Sequence, residues 1–107
     1  MMYDSMDIGE IDTITTNENL IDIRDKYEYV LNHIKGAKNI PYTYLMMMPD
    51  NYLTKDRKYY FYCDCGTKSR KVCNYLTELG YQVVDLIGGF EHYQEKKNLL
   101  IDKRVDD

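Results

Sequence analysis

Apolar residues in this chain fall into short blocks rather than long stripes. Leu20-Ile21-Asp22-Ile23 is apolar apart from one acid and reads as a buried strand that closes on Arg24-Asp25. Tyr59 to Tyr62 is a second run of this kind, and Tyr81-Gln82-Val83-Val84-Asp85-Leu86 a third. Between them Val72, Cys73, Leu76 and Leu79 recur at helical spacing, and Gly80 stands where a left-handed cap belongs. Tyr27, Val30 and Leu31 make a brief apolar face. Tyr44, Leu45 and Met48 share one side of a helical run that ends before Pro49. A turn through Asn32-His33-Ile34-Lys35-Gly36-Ala37 leads into Lys38-Asn39-Ile40, which stops at Pro41. After Gly88-Gly89, Phe90 to Lys97 is the last full helix. Near the start, Met6 closes a short edge strand and Asp7 caps a turn carrying Ile8 and Ile11.

Strands alternating with helices imply an α/β domain whose mostly parallel sheet is covered on both faces. Ligands of such sheets bind outside the carboxyl ends of the strands, the edge to which Arg24, Cys63 and the Gly88-Gly89 turn all belong. There is no repeat, linker or low-complexity segment. Residues 1–107 read as one domain, with a weakly patterned start over 1–19 and a charged tail over 99–107.

Composition narrows the function. With 18 Asp and Glu against 14 Lys and Arg, the chain has no basic surface to neutralise a phosphate backbone, so nucleic acid is not an expected partner. No apolar run approaches the roughly 20 residues that cross a bilayer, and the first residues lack signal-peptide character, so no membrane partner and a cytoplasmic location are expected. Three cysteines, an odd number, argue against a disulfide framework and suit a reducing compartment. Their chemistry is catalytic, metal-binding or none.

The chemistry concentrates in Tyr62-Cys63-Asp64-Cys65-Gly66-Thr67-Lys68-Ser69, where a strand breaks into a polar loop and a helix begins. Unpaired backbone N–H groups of such a loop, together with the helix dipole, favour negative charge. A cysteine there can fall well below its free pKa of about 8.5. A zinc site from Cys63, Cys65 and Cys73 with His33 or His92 would need a Cys-x-Cys spacing unlike that of common zinc sites, and no metal is expected.

These residues resemble the single-domain rhodanese-like sulfurtransferases. The likeness runs from about Leu20 to Tyr93 through four blocks in order: Leu20-Ile21-Asp22-Ile23-Arg24, His33 to Pro41, Tyr62 to Ser69, and Gly88-Gly89-Phe90. It implies a three-layer sandwich with a central, mostly parallel sheet of about five strands and helices on both faces. It implies that Cys63 accepts a sulfane sulfur as a persulfide and passes it on, without a cofactor. The donor would be small and anionic, such as thiosulfate or a persulfide, and the acceptor a thiol, cyanide or a protein thiol. Only Asp64, Cys65, Gly66 and Thr67 separate Cys63 from Lys68, one residue fewer than in phosphatase relatives of this fold. The shorter ring resembles the sulfur-transferring branch.

Within that ring, Gly66 lets the backbone curl near the sulfur, Thr67 offers a hydroxyl, and Ser69 caps the helix. Lys68 stands where the family commonly has arginine and offers one compact charge instead of a bidentate fork, so weaker thiosulfate binding is expected. A carboxylate about 5 Å from a thiolate would cost about 3 kcal/mol at an effective dielectric of 20, so Asp64 is expected to point to solvent. Cys65 could resolve an oxidised Cys63, take over its persulfide or fill a small-residue position, and Cys73 belongs to the core. Asp22 and Arg24 are expected to brace the sheet edge, His33 to bond within its turn, and Asn32 to take a left-handed backbone where the family often has glycine. His92 is expected at the surface. The alternatives are a non-catalytic module that binds an anion or a protein segment, and a Cys63/Cys65 redox protein.

Overall fold

Alternation along the strands sends successive side chains to opposite sides of one sheet, and both sides are filled. The structure, a computed structural model, describes residues 2–13 and 19–105. Five strands, β1 (Asp4–Asp7), β2 (Leu20–Asp22), β3 (Lys38–Asn39), β4 (Lys58–Tyr62) and β5 (Gln82–Ile87), form a sheet in the order β1-β5-β4-β2-β3. Every pairing is parallel, with Asp4 opposite Val84 and Asp22 opposite Tyr62. Parallel neighbours need crossovers, which here bring helices to both faces. The helices are α1 (Lys26–Leu31), α2 (Tyr42–Met47), α3 (Thr67–Glu78) and α4 (Gly89–Val105), with 3-10 turns at Ile8–Thr13 and Pro49–Asn51.

On one face Tyr59, Phe61 and Val83 pack with Leu45 of α2 and Val72, Cys73 and Leu76 of α3. On the other, Tyr62, Val84 and Leu86 meet Ile8, Ile11 and Phe90. Asp7 accepts the Gly9 N–H at 2.9 Å, the local bond expected of a turn-starting acid, and Gly80 takes φ +98° behind α3.

Four local expectations need correction. Tyr27, Val30 and Leu31 are exposed, because α1 turns Tyr29 inward instead; its hydroxyl donates to Ala37 O at 2.6 Å and its ring stacks on His33. In α2 only Leu45 is buried, and Tyr44 and Met48 face outward. Asn32 is extended, at φ −170° and ψ 143°, since its carbonyl turns to meet Arg24 rather than to make a left-handed bend. The last helix runs on to Val105, into the segment read as a tail.

Candidate functional site

β4 delivers the chain to the carboxyl edge of the sheet and α3 starts five residues after it ends, which leaves Cys63 to Gly66 as a tight loop. Gly66, at φ +100°, turns it into the helix. The amides of Gly66 and Ser69 donate to Cys63 Sγ at 3.1 and 3.3 Å. The loop's oxygens are drawn the other way: Phe90 N–H donates to Cys63 O at 2.8 Å and Glu91 N–H to Asp64 O at 3.0 Å. Gly89 makes this approach possible, for at φ +70° an added Cβ would lie 2.4 Å from Asp64 O. Cys63 sits deep in this ring. The residue is 3% exposed and packs in the same cluster as Val72 and Cys73, so the sulfur is less open than the sequence suggested, while the amides do point at it.

The other loop residues are placed differently from expectation. Ser69 is not the helix cap; Gly66 holds that position. The Ser69 hydroxyl instead donates to Asp85 Oδ1 at 2.7 Å, with Gly66 O a further 3.2 Å contact. Thr67 Oγ1 lies 3.6 Å from Cys65 Sγ rather than over Cys63. Lys68 is exposed at the rim with Nζ 5.5 Å from the Tyr42 ring centroid. Asp64 is half-buried, and the closeness of its carboxyl to that of Glu28 from α1 holds Glu28 above the usual glutamate range. The mouth of the ring is therefore acidic on the α1 side.

Asp22 and Arg24 form a buried pair, with Arg24 Nη2 2.7 Å from Asp22 Oδ2 and 2.6 Å from Asn32 O. The guanidinium lies 4.1 Å from the Phe90 ring centroid, which ties the end of β2 to the start of α4. His33 Nδ1 is 2.7 Å from Tyr29 O, within its own turn, and His92 pairs with Asp7 at 3.3 Å. Cys73 is fully buried, and burial pushes its thiol pKa up. All three cysteines are free thiols, and among the described residues no three His, Cys, Asp or Glu side chains converge as a metal set.

Sequence reasoning missed Glu28, Arg70 and Asp85. Asp85 carried a signal, an acid inside the apolar run Val83-Val84-Asp85-Leu86. It is 5% exposed, and burial raises its pKa against the opposing effects of Ser69 and Arg70. Arg70 and Asp85 line a cavity of about 400 Å3 beside the loop, and a wider groove of about 930 Å3 runs between α1 and α2 along β3. Cys63 lines neither.

An all-parallel α/β sandwich with a cysteine ringed by amides at the end of its central strand defines a recognisable class. The family described as Rhodanese-like domain matches residues 6–96, and the chain belongs to that family. It is 34% identical over 92 residues to "Putative sulfurtransferase YtwF" of Bacillus subtilis, covering 78% of this chain and 88% of the relative. It is also 34% identical to "Thiosulfate sulfurtransferase GlpE" of Tolumonas auensis over 76 residues, 70% of this chain and 71% of that one. Among solved structures, the rhodanese-related protein TVG0868615 of Thermoplasma volcanium superposes with a TM-score of 0.78 at 26% identity, over 88% of this chain and 93% of the other.

Proposed function

We propose that the protein is a sulfurtransferase that carries a sulfane sulfur on Cys63. The observation that supports this most is the pair of amides, Gly66 and Ser69, donating to Cys63 Sγ from inside the loop. Such donors stabilise a sulfur anion before attack and the persulfide anion after it. With thiosulfate as donor, the Cys63 thiolate attacks the outer sulfur, the S–S bond of the donor breaks, and sulfite leaves with the electron pair. A thiolate or cyanide then attacks the terminal sulfur of the persulfide, and Cys63 departs as a thiolate. Gly66 leaves room for the extra sulfur, and Lys68 at the rim offers the charge that meets an incoming anion. The acidic pair Glu28 and Asp64 opposes that anion, so an uncharged or amine-bearing sulfur donor suits the mouth better than thiosulfate does.

The burial of Cys63 favours one second reading, a non-catalytic module that holds an anion or protein segment at the ring. Intact-protein mass spectrometry after incubation with thiosulfate or a low-molecular-weight persulfide separates the two. The enzyme reading expects a gain of one sulfur atom that maps to Cys63, is lost on adding cyanide, and is absent in Cys63→Ser. No gain from either donor would leave only the binding module.

A further inference from the structure

The face of the sheet that α3 covers is left open toward β1, and the gap is the cavity of about 400 Å3, close to the lower end of the roughly 300–1,000 Å3 typical of small-molecule sites. Its floor is Asp85 and Ser5, neighbours in the β5–β1 pairing, and its walls carry Tyr3, Cys65, Thr67 and Arg70. Cys63 is not among the lining residues, but Gly66, whose amide donates to Cys63 Sγ, is, so the cavity lies against the outer side of the ring that holds the sulfur.

Its polar groups differ in burial: Asp85 is buried, Tyr3 half-buried, and Ser5 and Arg70 reach solvent. Asp85 is 5% exposed and accepts one described hydrogen bond, from Ser69 to Oδ1. Arg70 is near enough to lower the Asp85 pKa, yet no ion pair joins the two. Among the described residues, Arg70 makes no side-chain hydrogen bond, and neither the Tyr3 nor the Ser5 hydroxyl has a partner. A buried carboxyl without a counter-charge is costly, and a cation and an anion sharing one cavity without touching leave a gap between them. A molecule with an ammonium at one end and a carboxylate at the other would fill that gap and satisfy both charges, while the two hydroxyls supply orienting bonds.

We propose that this cavity binds a small zwitterion of the α-amino-acid type, with its ammonium on Asp85, its carboxylate on Arg70 and its side chain toward Cys65 and Thr67. The site stands independently of the sulfur-transfer reading. It nevertheless lies one residue from the sulfur, because Asp85 holds the Ser69 hydroxyl while the Ser69 amide holds Cys63 Sγ.

The test uses the full chain, with S-methyl-L-cysteine and L-serine as probes and acetate and methylammonium as half-ligands. Binding is followed by calorimetry, and occupancy by the rate at which iodoacetamide alkylates Cys65, resolved from Cys63 and Cys73 by peptide mass spectrometry. The amino acids are expected to bind saturably and slow Cys65 alkylation several-fold, and the half-ligands to do neither at equal concentration. Arg70→Gln and Asp85→Asn are each expected to weaken binding by about tenfold or more, as loss of a charged hydrogen bond should. Arg70 is an exposed helix residue, so its variant reads the site even if the Asp85 variant is disturbed. Absence of saturable binding by both amino acids, or Arg70→Gln binding as tightly as the parent, would overturn the proposal.

Discussion

One hydroxyl at Ser69 joins β5 to the sulfur-holding loop. Ser69→Ala removes the only described donor to a buried carboxyl and is expected to cost about 1–3 kcal/mol, read from urea unfolding. Asp85→Asn keeps an acceptor for that hydroxyl and removes the charge. Because burial raises the Asp85 pKa, the folded state holds this proton more tightly than the unfolded one. The resulting stability is present below the ordinary aspartate range and is lost as pH rises through the raised value. The Asn variant is therefore expected to gain on the parent between about pH 4 and neutrality, with no gain in acid. The same sign holds for Glu28, whose closeness to the Asp64 carboxyl raises its pKa: Glu28→Gln should be more stable than the parent at neutral pH, by about 0.5 kcal/mol as for other solvated charge contacts, and equal to it in acid. Melting temperatures across pH check both. The sequence marked Cys63 and the Asp22–Arg24 pair because each lies within one block of neighbours. It could not show Glu28 beside Asp64, or Arg70, Tyr3 and Asp85 around one cavity, because folding brings these groups together from separate elements.

Helices and strands were legible where a pattern and a stop signal coincided, as at Val72 to Gly80. Tyr27, Val30 and Leu31 misled because an apolar face announces a partner only when another element packs on it, and among the described residues none covers these three. The two-residue β3 was reachable only from its register against β2. Two glycines with positive φ separate conformation from contact. At Gly80 an added methyl would meet only the Lys55 side chain at 3.8 Å, so Gly80→Ala should cost about 1–2 kcal/mol, the left-handed backbone alone. At Gly89 the methyl would also strike Asp64 backbone, so Gly89→Ala should cost more than Gly80→Ala and alter the alkylation rate of Cys63. Urea midpoints and peptide mapping check the pair. Equal costs, with Cys63 reactivity unchanged, would mean that α4 does not hold the loop.

Over the whole molecule a net charge of −4 adds to the acidic mouth formed by Glu28 and Asp64, so an anionic donor approaches against the field. Raising ionic strength from about 0.01 M to 0.15 M shortens the screening length from about 30 to 8 Å. Sulfur uptake from thiosulfate is then expected to quicken several-fold while uptake from an uncharged donor stays level. Stopped-time mass spectrometry of the persulfide follows both. The strand order has a different consequence, for synthesis. Among the described residues β1 pairs only with β5, and Asp4 lies opposite Val84, far along the chain. At about 5–20 residues per second, a ribosome needs roughly 4–16 s to make the intervening segment. Until then nascent β1 lacks the strand it pairs with in the sheet, and its backbone stays open to chaperones and proteases during translation.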